Sequence, residues 1–282
     1  MAATALGSQR PVVIVPAMHE ALADNPIYVE NARKLEKLGV VFVPPRKEGG
    51  KAKIAMPGEV ADYVLRAIGK GAGKLRGRRV LATAGATREF IDDVRFISNP
   101  STGRMGVEIA RRAWQMGAEA ALVCGHVEAE VPRYVERVDV GSLEEMRKAV
   151  LAEDADVYAL AGAPGDFGVG KKAGGKMDSK KRAAIALVPL PKIADDVKKR
   201  HPGAKLVLFK AESDAGKLEE RARKRMREAR ADMVVANVVG KGKGFGDAAG
   251  AIVMTSSGGK REKFSGSKAQ MADAILHFLL ER

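Results

Sequence analysis

The residues best suited to chemistry lie in three segments rich in glycine and small hydroxyls. One is Gly85-Ala86-Thr87. The second runs Ser98-Asn99-Pro100-Ser101-Thr102-Gly103-Arg104-Met105-Gly106. The third, residues 162–182, mixes glycine with Lys172, Lys176, Lys180 and Lys181. In the second segment the hydroxyls and Gly103 directly precede a helical pattern. Exposed amide N–H groups there, with Ser101, Thr102 and Arg104, could cradle a phosphate at a positive helix end. The same residues also suit an ordinary Ser/Thr helix cap, which the local pattern alone favours. Neither the dinucleotide-binding triplet G-x-G-x-x-G after the first strand nor the P-loop pattern occurs.

Such segments need elements to hold them. Residues 79–84 read as a buried strand ending at Gly85, and a helix should run from about 104 to 116, stopped by Gly117. Strands are expected over 120–125 and 156–161, with a helix over 143–151 between them. Further strands fit 184–188, 205–209, 233–236 and 251–255, and helices fit 191–200, 215–229 and 268–280. Strands alternating with helices of this length predict an α/β fold: a doubly wound, mainly parallel Rossmann-like sheet with helices on both faces. In such sheets ligands collect at the carboxyl ends of strands, where the three segments fall.

Upstream, residues 11–16 read as a short strand between prolines. A helix over 25–38 closed by Gly39, a strand over 40–43 and a helix over 56–68 follow. The glycine- and base-rich stretch 69–79 is the best boundary. It divides the chain into residues 1–70, a linker over 71–78, and a main domain over 79–282.

The chain has 282 residues, 46 % hydrophobic and 30 % charged, a globular balance that excludes a disordered or collagen-like chain. Its single cysteine, Cys124, excludes a disulfide framework or a cysteine-built zinc site and reads as a small apolar residue at a strand end. No apolar run is long enough to span a bilayer and no export signal opens the chain, so a cytoplasmic location is expected. Lys plus Arg total 49 against 35 Asp plus Glu, a net +14 that attracts phosphates. Aromatic residues make up 5 % and the basic residues are scattered, which disfavours a nucleic-acid binder. Asparagine and glutamine are scarce beside many ion-pair formers, a composition that fits a heat-adapted host.

From Val80 onwards the chain resembles the phosphopantothenate–cysteine ligases. That family shows a strand, Gly-Gly-Thr, a Glu-Pro-Ile-Asp-Pro-Val-Arg turn, then Ile-Ser-Asn-x-Ser-Ser-Gly-Lys-Met-Gly. Here Gly85 to Arg95 and Ile97 to Gly106 follow that order, with Phe90 and Asp93 where the family usually has proline. Gly162 to Phe167, followed by Lys176, is similar to the family's Ala-Asp-Trp/Phe element and its Lys-x-Lys motif, whose second lysine is Asp178 here. Val188 to Ile193, Phe209 to Glu212, Ala236-Asn237 and Gly244-Phe245 resemble later family elements, with Val238 replacing an aspartate. Pro16 to His19, with Asn25-Pro26 and Asn31, looks like the end of the flavin-dependent decarboxylase often fused ahead of such ligases; its usual Pro-x-Met-Asn ends in His19 here.

The resemblance implies a ligase that joins 4′-phosphopantothenate to L-cysteine through an acyl-nucleotidyl anhydride in coenzyme A biosynthesis. It implies Asn99 and Lys176 as catalytic residues. Around the nucleotide it sets Gly85, Ala86, Thr87, Leu160, Ala161, Gly162, Asp166, Lys176, Pro191, Lys192, Ile193, Ala194, Phe209 and Arg225. Around the acyl substrate it sets Asn99, Ser101, Thr102, Gly103, Arg104 and Met105. The co-substrate would be CTP or ATP, with the microbial fused form favouring CTP, together with Mg²⁺ whose ligands are not assigned. No flavin, membrane or nucleic acid is implied, and a homodimer is. Two other classes remain open: a dinucleotide-dependent oxidoreductase on a similar sheet, disfavoured by the missing glycine triplet, and a basic nucleic-acid-binding protein.

Overall fold

The computed structural model describes residues 7, 10–69, 72–178, 180, 182–240, 248–255 and 259–280. Two compact units emerge, one of residues 1–76 with 114–118 and one of residues 77–113 with 119–282. In the smaller, β1 (Val13–Ile14) and β3 (Val41–Phe42) pair in parallel. Prolines 11 and 16 confine β1 to less than the 11–16 span expected from sequence. A second sheet has the order β2-β5-β4, from β2 (Met18–His19), β4 (Arg46–Glu48) and β5 (Lys51–Lys53). His19 Nδ1 accepts from the Ala21 N–H at 3.4 Å and so caps α1 (Glu20–Ala23), which gives that residue a structural task. Asn25 and Pro26 open α2 (Pro26–Lys37) as predicted, the Asn25 side chain accepting from the Ile27 N–H at 2.9 Å. Helices α3 (Pro57–Ala67) and α4 (Ala72–Leu75) complete the described part.

The larger unit is built around a sheet of order β10-β9-β6-β11-β14-β15-β16-β17. Its interior strand β6 (Arg79–Ala84) is buried from Val80 onwards. After β6 come the hairpin β7 (Arg88–Phe90) and β8 (Phe96–Ser98), then α5 (Arg104–Gln115), β9 (Glu119–Cys124), β10 (Glu136–Asp139) and α6 (Leu143–Ala152). The chain next forms β11 (Val157–Leu160), β12 (Phe167–Val169), β13 (Leu187–Pro189), α7 (Ile193–Arg200) and β14 (Lys205–Glu212). It ends with α8 (Leu218–Glu228), β15 (Met233–Val238), β16 (Ala248–Thr255), β17 (Arg261–Ser267) and α9 (Lys268–Leu280). The strands from β10 to β15 in the sheet are parallel, while β16 and β17 add antiparallel at one edge.

Between β6 and β11 the strand order reverses. The chain leaves β6 towards β9 and β10, and leaves β11 towards β14 and β15, so a crevice opens at their carboxyl ends. On one face Met146, Val150, Ile193, Val197, Leu218 and Met226 from α6, α7 and α8 pack on Leu81, Tyr158, Leu206 and Val234. On the other, α5 and α9 bury Ile109, Ala110, Met271 and Ile275, and an Arg112–Asp273 ion pair links the two helices.

In the larger unit the structure differs from the expectations at several strands. The strand expected at 184–188 is shifted to β13 and lies outside the main sheet, paired antiparallel with β12. Neither β10 nor β17 was predicted. Both are edge strands whose exposed charges, Glu136, Arg137, Arg261, Glu262 and Lys263, hide the apolar signal of a strand. No helix among the described residues is long and apolar enough to cross a membrane.

Candidate functional site

A cleft of about 510 Å³ lies at the carboxyl ends of β6, β11, β14 and β15, within the range typical of small-molecule sites. Asn99, Ser101, Thr102, Gly103, Arg104 and Met105 line one side of it. Leu160, Ala161, Gly162 and Asp166 come from the segment after β11, and Pro191, Lys192, Ile193 and Ala194 from the start of α7. Phe209 on β14 and Arg225 on α8 also line it. Segments more than a hundred residues apart thus converge on one cavity.

Four of the residues singled out from sequence do not line this cleft: Gly85, Ala86, Thr87 and Lys176. The first three lie behind its wall. A Cβ on Gly85, whose φ is +75°, would sit 2.1 Å from the His126 carbonyl oxygen, so the turn requires glycine. The Gly85 carbonyl accepts from the Ala163 N–H at 2.7 Å, and Ala86 exchanges backbone hydrogen bonds with His126 at 3.2 and 2.8 Å. Thr87 is fully buried; its Oγ1 accepts from the Gly165 N–H at 2.9 Å and its carbonyl accepts from Ser98 Oγ at 2.7 Å. This triplet stitches together the loops that follow β6, β9 and β11.

The wall in front is packed just as closely. A Cβ on Gly106 would meet the Thr83 carbonyl oxygen at 2.2 Å, so the first turn of α5 rests directly on the end of β6. Thr83 Oγ1 accepts from the Gly162 N–H at 2.8 Å. Asn99 Nδ2 donates to the carbonyls of Ala163 and Pro164 at 3.3 and 3.0 Å, which holds the 99–105 segment against the loop after β11.

The cleft is strongly cationic. Among the described residues that line it, Arg104, Lys192, Lys210, Arg225 and Lys268 face a single carboxylate, Asp166. Asp166 is ion-paired with Lys192. Arg225 pairs with Asp195 at 2.7 Å and with Glu228 at 3.8 Å. Burial lowers the pKa of Lys268 below the ordinary lysine value. Sequence reasoning overlooked Lys210 and Lys268. The first directly follows Phe209, where the strand expected over 205–209 ends, a place the switch-point rule points to. The second opens a helix in which no motif marks it.

Lys176 lies on a loop tied down elsewhere. Asp92, fully buried, accepts through Oδ1 from the N–H groups of Val94 and Arg95 at 2.7 and 2.6 Å. Its Oδ2 accepts from Arg95 Nη1 at 2.8 Å and from the Met177 N–H at 3.1 Å. These bonds, that from the Arg95 N–H foremost, hold its pKa down at about 2. Asp93 pairs with Lys172 at 2.9 Å and accepts from the Gly175 N–H at 3.0 Å. Lys176, next to Met177, is exposed. Lys181 and the Gly244-Phe245 element lie outside the described residues. Cys124 is buried and its pKa is pushed up to about 11 by that burial, so its thiol stays protonated and inert at neutral pH.

A doubly wound sheet whose switch point opens on a cation-lined cleft has the layout of an α/β protein with its ligand site at the carboxyl ends of the strands. The chain belongs to the DNA/pantothenate metabolism flavoprotein C-terminal domain family, which matches residues 75–282; residues 1–69 match the flavoprotein family. It is 41 % identical over 272 residues to the coenzyme A biosynthesis bifunctional protein CoaBC of Thermococcus kodakarensis, covering 94 % of this chain and 66 % of that protein. The chain therefore spans just under two thirds of that relative's length. Among solved structures, the C-terminal domain of a CoaBC protein superposes with a TM-score of 0.60 at 30 % identity, covering 73 % of this chain and 95 % of that one. A Cab2 mutant in complex with phosphopantothenate-cysteine shares the fold, with a TM-score of 0.59 at 14 % identity over 78 % of this chain and 93 % of that one.

Proposed function

We propose that the larger unit is a phosphopantothenate–cysteine ligase of coenzyme A biosynthesis. The observation that carries this reading is the convergence of the 99–105 segment with the 160–166 and 191–194 segments on one cationic cleft at the switch point. Family membership and the likeness to CoaBC proteins support it.

The reaction joins an anionic carboxylate to an amine, so the carboxylate must first be activated. Its oxygen attacks the α-phosphorus of CTP or ATP, an acyl-nucleotidyl anhydride forms and pyrophosphate leaves. The cysteine amine then attacks the acyl carbon, expels the nucleoside monophosphate and loses a proton. The first step brings together two anions, and fixed positive charge is the remedy. Arg225 and Lys192 would meet the nucleotide phosphates, giving up Asp195 and Asp166 to do so. The 101–104 segment would bind the acyl substrate and Asn99 would orient its carbonyl. Lys176 would neutralise charge as pyrophosphate departs, which requires its loop to fold over the cleft.

Among the described residues no three His, Cys, Asp or Glu side chains form a metal-binding group. In this reading Mg²⁺ would arrive on the triphosphate oxygens as part of the co-substrate, which asks for no three-residue cage in the protein. We further expect a cytoplasmic homodimer, testable by light scattering, and a 282-residue chain that purifies without yellow flavin.

The deciding assay is cysteine-dependent release of pyrophosphate with 4′-phosphopantothenate, run with CTP and with ATP. A melting-temperature panel of CTP, ATP, NADPH and an oligonucleotide accompanies it, since a ligand that prefers the folded state raises the melting point. Stabilisation by NADPH or the oligonucleotide alone, without pyrophosphate release, would overturn the reading.

A further inference from the structure

Lys268 places a cation where its position on the helix and its burial both disfavour one. It is the first residue of α9 and it lines the cleft. A lysine at this position faces the positive end of its own helix, where cations are disfavoured. Its ammonium is partly withdrawn from water, and burial alone accounts for its depressed pKa. Among the described residues no carboxylate is ion-paired with it. The cleft's single lining carboxylate, Asp166, is engaged by Lys192.

Capping does not require the lysine either. Ser267 and Gln270 cap α9 reciprocally: the Gln270 N–H donates to Ser267 Oγ at 3.2 Å, and the Ser267 N–H donates to Gln270 Oε1 at 2.9 Å. That box fixes where the first turn of α9 begins and leaves the Lys268 side chain to the cleft. Helices α5 and α9 both start at the cleft, with Arg104 and Lys268 respectively, and the Arg112–Asp273 pair holds them side by side further along. Two helix N-termini and two cationic side chains thus bound the same side of the cavity. Across the cavity, Lys192 is ion-paired with Asp166 and Arg225 with Asp195.

We propose that Lys268 is a binding residue for the phosphate monoester of the acyl substrate, which it grips together with Arg104 and the 101–103 segment, while the nucleotide phosphates are held on the side of α7 and α8. The assignment rests on the ligase reading and adds to it a discriminator between the phosphorylated substrate and its unphosphorylated analogue. A phosphate dianion supplies the missing counter-charge, so the cost carried by the empty protein is released on binding.

The test is calorimetric titration of the wild type, Lys268→Gln and Lys268→Arg with 4′-phosphopantothenate, pantothenate and CTP, beside melting curves of the unliganded proteins. The wild type should prefer 4′-phosphopantothenate to pantothenate. In Lys268→Gln that preference should fall about 10- to 100-fold, the loss of one charge-assisted contact, with CTP affinity little changed. Lys268→Arg should keep most of it. The empty Lys268→Gln protein should melt at or above the wild-type temperature, a direction opposite to that of a structural residue. An unchanged preference in folded Lys268→Gln, or an equal loss for CTP, would overturn the assignment and leave the ligase reading standing. A wild type that binds neither CTP nor 4′-phosphopantothenate would instead sink the ligase reading, and the assignment with it.

Discussion

The two sides of the cleft use positive charge differently. On the side of α7 and α8, Lys192 and Arg225 are held by Asp166 and by Asp195 with Glu228. A ligand binding there must displace carboxylates, so each contact adds little net energy but exchanges readily. On the side of α5 and α9, Lys268 has no such pair among the described residues, and the start of α5 is packed without slack at Gly103 and Gly106 against Val127, Gly85, Thr83 and Ala84. A paired cation suits a group that comes and goes. An unpaired one on a rigid frame suits a group that must be recognised.

The most severe way to break this contrast is to remove the rigid frame. Gly106→Ala would drive a methyl group into the Thr83 carbonyl and push α5 off β6. Overpacking of this kind costs about 1–3 kcal/mol, and here it should also abolish binding of both ligands. A melting curve and titrations with CTP and 4′-phosphopantothenate would show it.

Next in size is Lys176→Gln. If Lys176 closes over the cleft during turnover, losing its charge should slow pyrophosphate release by about 10²–10³, less to the extent that Lys172 or Lys180 substitutes. The melting temperature should not move, because the side chain is exposed. Near-normal turnover would mean that the two sides of the cleft supply the needed charge without the loop.

Arg225→Gln should be milder, raising the nucleotide KM by roughly tenfold or less, since a cation already paired gives up one partner for another. The KM for 4′-phosphopantothenate should stay put. A shift in both would erase the division between the sides.

The smallest effect concerns acid. Asp92 and Glu212 each have a pKa of about 2, Asp92 foremost through the Arg95 N–H and Glu212 foremost through its hydrogen bond from Arg221. Their folded values lie below the ordinary 3.8 and 4.5. The stability they contribute is therefore complete above those ordinary values and is lost as pH falls towards about 2. Asp92→Asn should flatten the acid limb of a melting-temperature profile over that window and loosen the 173–177 loop, which amide hydrogen exchange would register.

Much of this architecture was legible in the residues. The strand over 79–84 and the helix over 268–280 emerge with the bounds read from sequence, because apolar periodicity and caps are local signals. β17 was not legible: its run of Arg261, Glu262 and Lys263 carries the charge that protects a sheet edge, and that charge conceals a strand. Gly85-Ala86-Thr87 stands out in the sequence as a small-residue turn at a strand's carboxyl end, and the structure shows that its backbone needs glycine at 85. Yet close approach to another loop and close approach to a ligand leave the same mark in a sequence. Asp93 looked like a mere departure from a proline, whereas it binds Lys172 and the Gly175 N–H. Lys268 could not be found locally, since its cost depends on a cavity assembled from residues far away in the chain.

That β16, β17 and α9 follow β15 in the chain bears on how the protein is made. Until that hairpin emerges from the ribosome, β15 is an edge strand whose Met233, Val234 and Val235 would be open to pairing with other chains. At about 5–20 residues per second, the gap between the end of β15 and the end of α9 lasts a few seconds. The same final segment brings Lys268 to the cleft. Closure of the β15 edge and delivery of Lys268 to the cleft are therefore one event, and that edge stays open for as long as the cleft lacks this cation.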